Sequence, residues 1–213
     1  MEEIIKILES GNKENKIKVL ETLDNTNNLE IIKQIILRLN DEDIQVRGEA
    51  FNALLLNQNK ISNILIDNLS STNKNIRGFT SLVLANKNEK SAISEIIKLV
   101  GDKHGMVRSC AIGALGYLKA EKISNVILKS VLDSNLEVQK SALQATIQLG
   151  IIIPEYKIKE IFLEALLDPN IEVKKSALQA IIDLKIQLSE EKINWILKEK
   201  DPEIKKMISL IKK

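Results

Sequence analysis

Ser141-Ala142-Leu143-Gln144-Ala145 returns letter for letter as Ser176-Ala177-Leu178-Gln179-Ala180. A second string, Lys60-Ile61-Ser62-Asn63, returns as Lys122-Ile123-Ser124-Asn125. A fixed period of this size marks an array of repeats, each of which buries its apolar face only by stacking on its neighbours. That reading decides the fold class before any single residue is considered.

Working outward from the pentapeptide, each unit aligns on one β-branched position: Val46, Ile76, Val107, Val138, Val173 and Ile204. The intervals are 30, 31, 31, 35 and 31 residues. Extra residues around Gly150-Ile151-Ile152-Ile153-Pro154 account for the long one. Five residues ahead of the aligned position stands Asp41, Ser71, Asp102, Asp133 or Asp168. Asp or Ser ahead of an apolar run is a helix-start signal, because its side chain accepts free N–H groups. Asp168-Pro169 and Asp201-Pro202 add proline, which a helix tolerates in its first turn.

Val173, Ala177, Leu178, Ile181 and Ile182 then follow one stripe of an amphipathic helix. Four residues after the aligned position come Ala50, Thr80, Ala111, Ala142, Ala177 and Ile208, mostly small enough for close helix approach. A preceding helix is marked by Ile123, Val126, Ile127, Val131 and Leu132, and in another unit by Ile61, Ile64, Leu65 and Leu69. Asn57-Gln58-Asn59, Asn86-Lys87-Asn88 and Gly150 to Pro154 are the breaks between units. The expectation is an all-α chain of about seven helical hairpins in one domain. An irregular first unit covers 1–28, regular units cover 29–200, and a C-terminal cap covers 201–213.

The pattern Asp-x-x-x-x-Val-Arg-x-x-Ala on the second helix of each pair resembles the HEAT repeat, particularly its short bacterial and archaeal form, as in the HEAT-like phycobilin lyases. The units at Asp41, Asp102, Asp133 and Asp168 carry the likeness best. The resemblance implies a right-handed α-solenoid whose second helices line a concave face. It also implies an Asp/Arg ladder along one edge.

Composition narrows the function. Hydrophobic residues are 44% and charged residues 28%, enough apolar side chains for a continuous core in a soluble chain. No stretch approaches the roughly 20 apolar residues of a membrane span, and Met1-Glu2-Glu3 is acidic where a signal peptide is basic. A single cysteine makes no internal disulfide, so the expected compartment is the cytoplasm. A net charge of +2 does not by itself call for a polyanion.

Two sets of candidate site residues follow. A cation stands directly after the aligned position in five units: Arg47, Arg77, Arg108, Lys174 and Lys205, with Gln139 in the sixth. Cations in a helix's first turn oppose its dipole, so something negative should meet them: the Asp six residues earlier in a ladder, or phosphates and acidic partners. Lys140, Gln144, Lys175 and Gln179 form a repeated Lys/Gln pair off the apolar stripe, suited to hydrogen bonding a peptide in the groove.

Other chemistry is poorly served. His104 is the sole histidine and lacks partners at metal-ligand spacing, unlike the His-Glu pairs of HEAT-like metal hydroxylases. Cys110, beside Arg108, is expected to be an exposed structural thiol with a somewhat lowered pKa. Aromatics are 3%, against the base stacking that a HEAT-like DNA glycosylase needs. Trp195, off the main stripe, marks a unit cap or a contact surface, and the broad apolar set around Ile204 to Ile211 a cap or an end-to-end self-contact. The expectation is a non-enzymatic scaffold without cofactor or metal that binds a protein or peptide segment. Its rivals are nucleic acid along the Lys/Arg column and a lyase or chaperone for a tetrapyrrole-bearing protein.

Overall fold

A computed structural model describes residues 1–120, 123–131, 133–150 and 155–211. Among these every regular element is helical. The chain forms two compact units, Met1–Ala114 and Leu115–Lys213.

The first unit holds α1 (Glu2–Ser10), α2 (Lys13–Leu20), α3 (Leu29–Arg38), α4 (Ile44–Leu56), α5 (Ser62–Asp67), α6 (Lys74–Asn86) and α7 (Ile93–Leu99). α8 (Gly105–Tyr117) begins in it and carries the chain into the second. There follow α9 (Ser124–Val131), α10 (Leu136–Gln148), α11 (Glu155–Ala165), α12 (Ile171–Asp183), α13 (Glu190–Ile196) and α14 (Pro202–Ile211). Consecutive helices pack as hairpins in α1/α2, α3/α4, α5/α6, α9/α10 and α11/α12. Second helices stack on second helices: α4 packs against α2 and α6, and α12 against α10 and α14. The result is an α-solenoid class of fold built in each unit from the same hairpin.

The aligned β-branched column is the spine of the core. Val46, Ile76, Val107, Val138, Val173 and Ile204 are all buried, as are Ala50, Thr80, Ala111, Ala142, Ala177 and Ile208 one turn on. Each buried Val or Ile contributes roughly 1.5–3 kcal/mol. The first-helix stripe follows the same logic: Ile61, Leu65, Ile123, Ile127 and Val131 are buried, Ile64 and Val126 half-buried, and Leu132 lies outside the described residues. Between units of the repeat, Asn88, Lys119 and Lys185 take left-handed φ values of 50–55°. Each ends its helix with a paired bond set, such as Glu89 N–H to Leu84 C=O at 2.9 Å and Asn88 N–H to Ala85 C=O at 2.8 Å. The break expected at Asn57-Gln58-Asn59 directly follows α4. Most of the break at Gly150 to Pro154 falls outside the described residues.

Helix starts differ from expectation by two residues. Asp43, Asn73, Asn135 and Asn170, three ahead of the aligned position, accept the free N–H groups of their helices. The Asp five ahead instead accepts the N–H of that capping residue, as Asp41 does from Asp43 at 3.1 Å and Asp168 from Asn170 at 2.7 Å. Two polar turns follow one another, and only the second caps. Pro169 consequently precedes α12, whereas Pro202 is the first residue of α14.

Candidate functional site

The displaced Asp is left with one carboxylate oxygen for another task, and the cation column supplies it. Arg77 Nε donates to Asp102 Oδ2 at 2.8 Å, with Nη2 2.7 Å from the same oxygen. Asp102 belongs to the next hairpin, 25 residues on. Lys16 on α2 reaches Asp41 at 2.8 Å across the same separation, and Lys174 pairs with Glu199, also 25 residues on. Gln139 stands in the cation's place and donates to Asp168 at 3.2 Å, 29 residues on. Each Arg also closes its own turn: Arg47 donates to Asp41 C=O at 2.8 Å, Arg77 to Ser71 C=O at 2.7 Å, and Arg108 to Asp102 C=O at 2.8 Å. Lys205 is exposed.

These bonds set the electrostatics of the turns. Burial alone raises the Asp102 carboxyl, but the His104 N–H and the Arg77 guanidinium outweigh it and hold the group below its ordinary range. At Asp41 burial is likewise outweighed, there by Lys16 and the Asp43 N–H. His104 occupies the capping position of α8, its Nδ1 3.1 Å from Asp102 and 3.4 Å from Arg77 Nη2. Among the described residues no group of three His, Cys, Asp or Glu side chains gathers to hold a metal.

In the second unit, α10 and α12 leave an open groove of about 510 Å³ between them. Lys140, Leu143, Gln144, Ile147 and Gln148 line it from α10; Ser176, Gln179 and Asp183 line it from α12. Three of the four Lys/Gln residues are brought together here. Lys140 lies 3.6 Å from Glu137, and Gln179 donates to Asp183 at 2.8 Å, while Gln144 is exposed. Lys175 is turned the other way, to Glu203 at 2.8 Å, Asp201 at 3.1 Å and Glu172 at 3.5 Å. Bonds to Glu203 and Asp201 hold its ammonium charged to a higher pH than usual.

Leu143 and Ile147 belong to the groove but escape a search for polar residues. The spacing of Lys140, Leu143, Gln144, Ile147 and Gln148 is the signal that finds them, since residues three and four apart share a helix face. An apolar floor edged by amides, a cation and a carboxylate can hold an extended chain: each amide both donates and accepts.

The Cys110 thiol is half-buried beside Met106, its Sγ 3.6 Å from Sδ. Burial pushes it up to about 11, opposite to the lowering expected from Arg108. Among the described residues no helix is long and apolar enough to cross a membrane.

Residues 62–147 match a profile described as HEAT repeats, and residues 21–48 one described as a HEAT repeat associated with sister chromatid cohesion. No curated protein matches the chain. Solved structures do. A chain from the complex of CpcE and CpcF of phycocyanin lyase from Nostoc sp. PCC7120 is 19% identical, with a TM-score of 0.63 over 72% of this chain and 99% of that one. A designed armadillo repeat protein in complex with the peptide (KR)4 is 18% identical, with a TM-score of 0.52 over 85% and 98%. A chain of the Kap95:Nup1 complex is 12% identical, with a TM-score of 0.72 over 99% of this chain and 36% of that much longer one.

Proposed function

This chain belongs to the HEAT-repeat family, and from that premise we propose that it is a non-enzymatic adaptor that binds a protein segment in the groove of α10 and α12. A repeat scaffold of this kind can bind proteins. The observation that carries the narrower reading is the groove itself, about 510 Å³, with Lys140, Gln144 and Gln179 at its edges and Leu143 and Ile147 in its floor. Affinity would come from many small contacts, backbone bonds to the amides and apolar burial below them, rather than from one deep pocket. Arg47, Arg77, Arg108 and Lys174 are engaged with carbonyls and carboxylates of the protein, which supports a protein partner over a nucleic acid.

The test is a photo-crosslinking residue placed at Gln144, activated in native extract with and without nuclease. The adduct is then reconstituted from purified components. The adaptor reading expects a nuclease-resistant protein adduct whose affinity falls at least several-fold in the double variant Lys140→Glu, Gln179→Lys. Loss of the adduct with nuclease would favour nucleic acid. The likeness to the CpcE–CpcF complex motivates one further arm: a change in bilin absorbance on mixing would favour the lyase or chaperone reading.

A further inference from the structure

Trp195 departs from its own repeat column. Nine residues ahead of the aligned position the other hairpins carry Leu37, Asp67, Lys98, Lys129 and Glu164, so four of the five bear a charge. The hairpin therefore folds without an aromatic at this place. Trp195 is nevertheless 41% exposed, and Leu167, in the turn after α11, is 67% exposed. Between them lies an apolar slot of about 310 Å³, lined by Leu163, Leu166, Leu167, Glu191, Lys192, Trp195 and Ile196. Its floor is fixed, because Leu166 and Ile196 are buried. Its wall is braced: Lys174 Nζ stands 5.8 Å from the indole centroid and is itself paired with Glu199.

We propose that this slot docks a short amphipathic helix of a partner protein, which inserts one large apolar side chain of the Leu or Phe class between Leu167 and Trp195. The size decides the occupant. A volume of about 310 Å³ is at the lower end of binding pockets, which run from roughly 300 to 1,000 Å³. A stable homodimer buries about 800 Å² on each partner, far more than these two exposed side chains offer, so a second copy is not the occupant. Glu191 and Lys192 stand side by side at the slot and ask for charges of both signs around the anchor. An amphipathic segment meets that demand and a lipid tail does not. The slot is built from α11, the turn after it and α13, while the groove is built from α10 and α12; they share no residue. One unit can thus hold two partners.

Trp195 is the sole tryptophan, so its emission reads the slot directly. The probe is a displayed library of amphipathic helical peptides, selected on the full chain alone and then measured on Leu167→Lys. Lys198 holds the matching column in the next hairpin, so this variant should fold, as a thermal melt would verify. The expected peptides carry one large apolar residue flanked by opposite charges and shift Trp195 emission to the blue. They bind Leu167→Lys about ten-fold more weakly, as loss of an anchoring contact does, and bind Gln144→Glu unchanged. Trp195→Lys, read by anisotropy of a labelled peptide, should lose binding to a similar extent. Absence of enriched peptides would overturn the proposal. So would peptides that ignore Leu167→Lys, and sensitivity to Gln144→Glu instead would assign them to the groove.

Discussion

Asp102 receives the guanidinium of Arg77 from the preceding hairpin at 2.7–2.8 Å, and both side chains are only 10% exposed. The pair is a rung that ties one hairpin to the next, with Arg77 also bonded to the carbonyls of Ser71 and Thr72. Replacing Arg77 with Met should remove the rung and leave a largely buried carboxylate without its cation. The expected cost is about 3 kcal/mol, read as a lowered urea midpoint with an unchanged slope. Arg77→Met combined with Asp102→Asn should lose less than the two single losses added together. Strict additivity would mean that the two groups do not act as a pair.

The same rungs set a pH dependence. The carboxyls of Asp102 and Asp41 are held below their ordinary 3.8 in the folded protein. A depressed folded value gives stability that is complete above the unfolded value and is lost as pH falls through the folded one. Urea midpoints should therefore be flat from neutral pH down to about 5, then fall below about 4. Arg77→Met should flatten that fall, since Asp102 then titrates closer to its ordinary value. An equally steep acid limb in the variant would remove this rung as its source.

Two glycines of α8 should respond with opposite signs. A Cβ on Gly113 meets nothing within 4 Å, so Gly113→Ala should add about 0.5–1 kcal/mol from helix propensity. A Cβ on Gly116 would stand 2.8 Å from Ala145 Cβ and 2.9 Å from its Cα. Gly116→Ala should cost about 1–3 kcal/mol, because the backbone of α10 must shift. Thermal unfolding of both variants checks the contrast.

Thr80 stands where four sister hairpins carry Ala, and its buried Oγ1 has no hydrogen-bond partner. Thr80→Val keeps the shape and removes the orphaned hydroxyl, so it should stabilise by about 1 kcal/mol. A destabilised variant would show that the hydroxyl is satisfied in solution.

Cys110, with its thiol pushed up to about 11, should react slowly with a disulfide reagent at pH 8 and quickly once urea unfolds the chain. A fast reaction in the native state would contradict its burial against Met106.

The hairpin and its core were legible because Val46, Val107, Val138 and Val173 recur with a small residue one turn on, and such a period has few physical readings. The helix starts were legible only to within two residues: Asp41 and Asp43 are both good acceptors, and local sequence does not say which one faces the free N–H groups. Lys175 is equivalent to Lys140 in its own repeat, but what diverts it, Asp201 and Glu203, comes from the following hairpin. Leu143 and Ile147 carry the apolar character of a core, and only the gap between α10 and α12 makes them a groove floor. Trp195 stood out as an oddity, yet its slot needs Leu167 from another hairpin.

The rung from Gln139 to Asp168 spans 29 residues where the others span 25, and it joins neutral to charged groups. The coupling thus survives a longer connector and an altered donor, provided the next turn presents a carboxylate in the same place. Because these rungs reach only the adjoining hairpin, a genetic duplication that copies a hairpin such as α11/α12 carries both halves of the joint with it, Lys174 to pass forward and Asp168 to receive. Such a chain can lengthen or shorten by whole modules while each junction stays intact, and its reach toward partners becomes a heritable quantity separate from its stability.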